Sequence, residues 1–276
     1  MCVIFIESRR KVCYNKLIYS VSYIAERPVI PMACFSSVSV MGVRIDNVTP
    51  GEAVAYLGRC LEDGQKGYVV TPNAEIVYLG RKDAEARAAL NGSLLSVPDG
   101  VGVVKAARIL GSPVKGKVAG VELGVNLLPE LVRQGKSLYI LGAKPGVAEK
   151  AAENLAARFP GLRIAGTHDG YFKSADEVIP LINESGADVC YVCLGAPKQE
   201  FWMRDNLPKT CCSLMLGIGG SADIYAGEAR RAPEFFVKLG LEWFYRLLKE
   251  PRRIGRMMAL PKFLLLAVGD RLTASK

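Results

Sequence analysis

The chain has 276 residues, half of them apolar and 23% charged, with a formal net charge of +9. That balance supports a sizeable core and excludes collagen-like, mucin-like and low-complexity chains. The longest late apolar run, Phe263–Val268, is far short of the roughly 20 residues that span a bilayer, which excludes a polytopic membrane protein.

The charge is uneven. Arg230–Lys276 holds eleven Lys/Arg against four Asp/Glu, so this segment carries +7 and the 229 residues before it only +2. A basic C-terminal segment on a near-neutral body points to nucleic acid, anionic lipid or a phosphorylated substrate. Most of the eight cysteines sit inside apolar runs, where a thiol behaves as a small hydrophobe. Cys190 and Cys193 form a CxxC, but neither a second CxxC nor a histidine pair completes a zinc site. A structural role in a reducing cytoplasm follows.

Residues 1–40 read as an N-terminal extension, either disordered or preceding a true start at Met32 or Met41, and no signal-peptide pattern stands out. From Met41 the pattern becomes globular, with a strand, a turn and a helix start. Strands are predicted at Gly67–Val70, Leu94–Val97, Ser137–Leu141, Leu162–Ala165, Asp188–Leu194 and Ser213–Gly217. Between them, helices are predicted at Ala74–Gly80, Asp83–Leu90, Gly102–Leu110, Val121–Gln134, Val147–Phe159, Ala175–Glu184 and Lys198–Asp205. This alternation indicates an α/β fold: a parallel sheet flanked by helices, over residues 41–229. Ligands of such sheets bind where loops leave the strand C-termini.

Five of those loops could carry chemistry. In Thr71-Pro72-Asn73, Thr71 or Asn73 could cap the following helix, or their hydroxyl and amide could face a polar ligand. In Pro98-Asp99-Gly100, the Asp-Gly pair is an ordinary turn signal, yet an acid at a strand exit could serve as a general base. Gly142–Gly146 lacks both GxGxxG and a P-loop lysine-serine pair, which weakens a nicotinamide-cofactor reading. In Gly195–Glu200, Lys198 and Gln199 can reach phosphate and sugar oxygens, or simply start a helix after Pro197. In Gly217–Asp223, three glycines let a ligand lie against backbone amides, and Asp223 could accept from a ribose hydroxyl or a base N–H. His168 has no local nucleophile signature beside it and reads as structural.

Taken together, these loops resemble the WecG/TagA/CpsF family of glycosyltransferases. The matching residues are Thr71-Pro72-Asn73-Ala74-Glu75, Pro98–Gly102, Gly120 with Glu122-Leu123, Leu141-Gly142, Gly170-Tyr171-Phe172, Gly195–Glu200 and Gly217–Asp223, across roughly residues 41–260. The resemblance implies a Rossmann-like body with a C-terminal helical appendage at residues 230–276. It further implies an inverting, metal-independent transferase with no cofactor. Such an enzyme moves N-acetylmannosamine from UDP onto a polyprenyl-diphosphate-linked N-acetylglucosamine, in teichoic-acid linkage-unit or similar cell-surface polysaccharide synthesis. By match to the family motifs, Asp99 would be the catalytic base. Thr71, Asn73 and Gln199 would line the sugar and acceptor pocket, while Gly195, Lys198, Gly219 and Asp223 would hold UDP. The chain departs from a common R-x-x-G-x-D-L pattern by carrying Lys117, Gly120 and Glu122. Charge is kept, but lysine cannot reproduce arginine's bidentate grip on phosphate.

Inverting transfer needs one displacement, so one carboxylate suffices as base. The chain has no Asp-x-Asp motif, and helix N-termini, backbone amides and basic side chains would stabilise the leaving UDP instead. The basic tail, with its aromatics Trp243 and Tyr245, suits a membrane interface. The resemblance assigns Arg246, Arg253 and Arg256 to the lipid diphosphate, at the inner face of the cell membrane as a peripheral protein. An exposed apolar appendage leaves homo-oligomer formation open. Competing readings are the same fold with another UDP-hexose donor, a Rossmann-type oxidoreductase, and a non-catalytic nucleic-acid-binding protein. No helix-turn-helix, RNA-recognition or zinc pattern supports the last, and nucleic acid is not expected as a partner.

Overall fold

A computed structural model describes residues 35–229, 232–233, 235–236, 241, 244–245 and 259–274. The chain enters through an antiparallel hairpin, β1 (Ser37–Val40) and β2 (Val43–Asp46); the sequence reading placed residues 37–40 in the extension. Helix α1 (Pro50–Glu62) then starts on a capping box. The Thr49 hydroxyl accepts from Glu52 N (3.2 Å), and Glu52 Oε2 accepts from Thr49 N (2.8 Å).

Six strands form one parallel sheet: β3 (Gly67–Val70), β4 (Leu95–Ser96), β5 (Ser137–Gly142), β6 (Arg163–His168), β7 (Val189–Cys193) and β8 (Leu214–Gly217), in the order β4-β3-β8-β7-β5-β6. The four inner strands are buried along their whole length, because helices cover both faces and every side chain must be apolar or small.

The two cores follow from the period-2 alternation of strand side chains. One face packs against α1, α5 (Gly120–Gln134), α6 (Val147–Arg158) and α9 (Ser221–Tyr225), through Leu57, Leu128, Ala151 and Ala222. The other packs against the hairpin, α2 (Ala74–Lys82), α3 (Ala84–Asn91), α4 (Val101–Ile109), α7 (Ile179–Ser185), α8 (Lys198–Asn206) and α10 (Ala259–Ala274), through Ile76, Leu90, Val103, Ile182, Met203 and Phe263. Cys190 belongs to the second core and Cys193 to the first, so the CxxC thiols leave opposite faces of β7.

Helix α10 lies across α2 and α4. Its Phe263 and Ala267 are buried, Asp270 forms a two-pronged ion pair with Arg81, and Arg271 Nη1 donates to Leu110 O (3.5 Å). Among the described residues no helix is long and apolar enough to cross a membrane.

Candidate active site

The C-terminal ends of the strands are laced side to side. Asp99 N donates to Pro72 O (3.2 Å), joining the β4 and β3 exits. Ile218 N donates to Val192 O (3.1 Å), Ala143 N to Cys193 O (3.0 Å) and Gly170 N to Ala143 O (2.9 Å). These bonds join the exits of β8 to β7, β7 to β5 and β5 to β6. The loops that carry the sequence motifs therefore form one continuous rim, as expected of an open α/β sheet.

Thr71 is 6% exposed, and its hydroxyl donates to Gly217 O (2.9 Å), tying the β3 exit to the β8 exit. It also packs on the start of α5. A methyl placed on Gly120 would lie 3.1 Å from Thr71 Cγ2, so the helix start sits tightly against Thr71. Asn73 is the N-cap of α2. Its Oδ1 accepts from Glu75 N (2.9 Å) and Ile76 N (3.1 Å), so of the two alternatives for this residue the cap is realised. The side-chain oxygen is committed to the helix, and the amide nitrogen is what Asn73 has to offer a ligand.

Asp99 is half-exposed at the β4 exit, one residue before the start of the turn into α4. Its Oδ2 accepts from Gly120 N at 3.4 Å, at the N-terminus of the 15-residue helix α5. Val118 N donates to Pro98 O (2.8 Å), so the loop bearing Lys117 is held against the loop bearing Asp99. Lys117 and Glu122 flank the same helix start and are half-buried. A solvent-accessible carboxylate beside a helix N-terminus and a lysine-bearing loop can accept a proton from an incoming hydroxyl.

On the β7 side, the Gly195 loop closes on itself through Gln199 N donating to Gly195 O (2.9 Å). Lys198 is exposed; its Nζ donates to Gly170 O (3.4 Å) and lies 4.9 Å from the centre of the Phe172 ring. Gln199 is 2% exposed, and its Oε1 accepts from Gly219 N (3.0 Å). The side chain read from sequence as lining the sugar pocket thus clamps the β8 turn. Asp223 is half-buried in the short α9, and a methyl on Gly220 would lie 3.6 Å from its Oδ2. Asp99, Gly120, Thr71, Gly217, Gln199 and Gly219 form one chain of contacts.

His168 ends β6, with Nδ1 2.8 Å from Asp169 O and its ring edge-on to Phe172 at 5.9 Å, as a structural residue would be. Arg246, Arg253 and Arg256, and Trp243 beside them, lie outside the described residues. A cleft of about 310 Å³ lined by Pro129, Val132, Arg158, Phe159 and Pro160 opens where α5 and α6 end, and includes none of the motif-loop residues. Sequence reasoning missed Glu200 as a buried group; it adjoins Lys198 and Gln199 in a polar run, and nothing in its spacing marks it as interior. The backbone N–H of Gly120 was missed as well, because a main-chain donor leaves no side-chain signature.

A doubly covered parallel sheet with polar and glycine-rich loops gathered at its C-terminal rim defines a Rossmann-like α/β protein, and that rim is its candidate ligand site. Residues 38–276 match the Glycosyl transferase WecG/TagA/CpsF family, and the chain belongs to that family of glycosyltransferases. It is 36% identical over 211 residues (76% of this chain, 82% of the relative) to the N-acetylglucosaminyldiphosphoundecaprenol N-acetyl-beta-D-mannosaminyltransferase of Bacillus spizizenii strain W23. It is 33% identical over 216 residues (77% and 83%) to the protein of the same name from Bacillus subtilis strain 168.

Proposed function

We propose that the chain transfers N-acetylmannosamine from UDP to a polyprenyl-diphosphate-linked N-acetylglucosamine, with inversion at the anomeric carbon. The observation that carries this reading is the placement of Asp99. The carboxylate is accessible at a strand exit, against the start of α5, and joined through Gly120 and Thr71 to the glycine turn at Gly217.

In this reading Asp99 takes the proton of the acceptor hydroxyl as its oxygen bonds to the anomeric carbon. The bond from that carbon to the β-phosphate oxygen breaks, and its electron pair leaves with UDP. No covalent intermediate forms, so a second carboxylate is not needed. Lys117, Lys198 and the backbone amides of the Gly195 and Gly219 turns offset the leaving charge, and Asp223 meets the nucleoside. The sequence holds no Asp-x-Asp motif, and transfer is read as metal-independent. Thr71 and the Asn73 amide orient the acceptor sugar.

The acceptor is a lipid, which gives the basic C-terminal segment a purpose. On α10, Leu265, Val268 and Leu272 point outward at the i, i+3, i+7 spacing of one helix face. With the +7 charge of residues 230–276, they suit an anionic membrane surface, where Arg246, Arg253 and Arg256 would meet the lipid diphosphate.

The test offers a panel of UDP sugars with a lipid-diphosphate N-acetylglucosamine acceptor, with and without a chelator. The expected product is the β-linked N-acetylmannosaminyl disaccharide, at a rate the chelator does not change. Exclusive use of another hexose, or a product of retained configuration, would overturn the reading.

A further inference from the structure

Glu200 is a buried acid that the reaction just described does not use. It sits in the first turn of α8 and is 2% exposed. Its Oε1 accepts from Gln199 Nε2 (2.9 Å), and its Oε2 is buried without a hydrogen-bond partner among the described residues. An ionised carboxylate in such a place would carry a large desolvation cost. Burial accordingly pushes the Glu200 carboxyl up, toward its neutral form.

The consequence of the Glu200 contact is read at Gln199. A carboxamide can sit in two orientations that exchange its oxygen and nitrogen. In one, Gln199 Oε1 accepts from Gly219 N (3.0 Å). In the other, an NH2 group would face the Gly219 N–H. Glu200 Oε1 is an acceptor and holds the first orientation by taking the Nε2 hydrogen. The strand end lies close against this carboxamide, since a methyl on Gly217 would lie 3.1 Å from Gln199 Nε2 and 2.6 Å from Met203 Cε. The Gly217 carbonyl in turn receives the Thr71 hydroxyl (2.9 Å).

We infer that Glu200 is a positioning residue: as the acceptor for Gln199 Nε2 it locks that carboxamide onto Gly219 N–H and so sets the Gly217–Gly220 turn for the nucleotide, a role that rests on the function proposed above. The group required is a side chain of glutamate length with an acceptor at Oε1. Glutamine supplies that. Aspartate keeps the acid but withdraws it by one methylene.

The experiment compares Glu200→Gln and Glu200→Asp in the full chain. It measures UDP affinity by calorimetry, exchange of the Gly219 amide by NMR, thermal unfolding and sugar transfer. Glu200→Gln should bind UDP within about threefold of the parent with a protected Gly219 amide. Glu200→Asp should fold, expose the Gly219 amide to exchange while the central strands stay protected, and weaken UDP binding by roughly 10–100-fold, as misplaced binding groups do. Should Glu200→Asp not be recovered folded, Glu200→Met replaces it with the same expectation. Parent-like affinity in the aspartate or methionine variant, or a tenfold loss in the glutamine variant, would overturn the inference. A parent protein that binds UDP but transfers no sugar would instead count against the proposed function, and the Gly219 readout would still decide the role of Glu200.

Discussion

Thr71 and Asn73 stand two residues apart, yet the fold uses them differently. Thr71 turns inward to bridge two strand exits, and Asn73 caps the helix that follows. Glu200 shows a third use of a polar side chain, as a buried acceptor for the Gln199 amide. Its folded-state carboxyl holds its proton more tightly than the unfolded chain, where it titrates near 4.5. The native state therefore binds more protons, and wild-type stability falls as pH rises from about 4.5 through the raised folded value. Glutamine has no proton to lose. The Tm of Glu200→Gln relative to wild type should rise as pH climbs from about 4.5 to the raised folded value, and be level on either side of that window. Thermal unfolding across pH 4 to 8 checks this, and a margin independent of pH would contradict it.

Among the elements, α10 joins sequence-distant parts of the site. It braces α2 and α4, the helices that begin just after Asn73 and Asp99. Leu260 fills the space above Gly102, where a methyl would approach its Cδ1 to 2.5 Å. Truncating the fully buried Phe263 to alanine should cost roughly 3–5 kcal/mol. Urea unfolding measures this, and a loss under about 1 kcal/mol would show that α10 docks weakly. The inner strands were legible in the sequence because doubly buried strands are unbroken apolar runs: Gly67–Val70 is placed to the residue, and Ser137–Leu141 needs only Gly142 added. The edge strand β6 was cut short at Ala165, because Gly166, Thr167 and His168 are half-exposed and break the run. The predicted helix Ala175–Glu184 divides into a 3-10 turn and α7, since Pro180 fits a first helical turn but not an interior. The five-residue α9 was read as loop because its glycine-rich approach hides so short a period. Of the site, the motif loops and their order were readable. The lateral bonds joining them were not, because backbone pairing between strand exits depends on the strand order β4-β3-β8-β7-β5-β6.

At the scale of the whole molecule, the sequence keeps the motif loops and most of the net charge in different segments. The motif loops share one rim of the sheet, and the last 47 residues of the sequence carry +7 of the +9 net charge. In the proposed function, that basic segment would draw the near-neutral body to an anionic lipid acceptor, and the rim would recognise UDP. In the same reading, proton removal and nucleotide binding fall to different strand exits: Asp99 leaves β4 at the sheet edge, while the Gly195 and Gly219 turns leave β7 and β8. Asp99→Asn keeps the shape of the side chain and removes its basicity. Paired measurement of sugar transfer and UDP affinity in this variant should give a 10²–10⁴-fold loss of turnover, the range of a missing general base, with UDP affinity unchanged; transfer at the wild-type rate would contradict the assignment of Asp99.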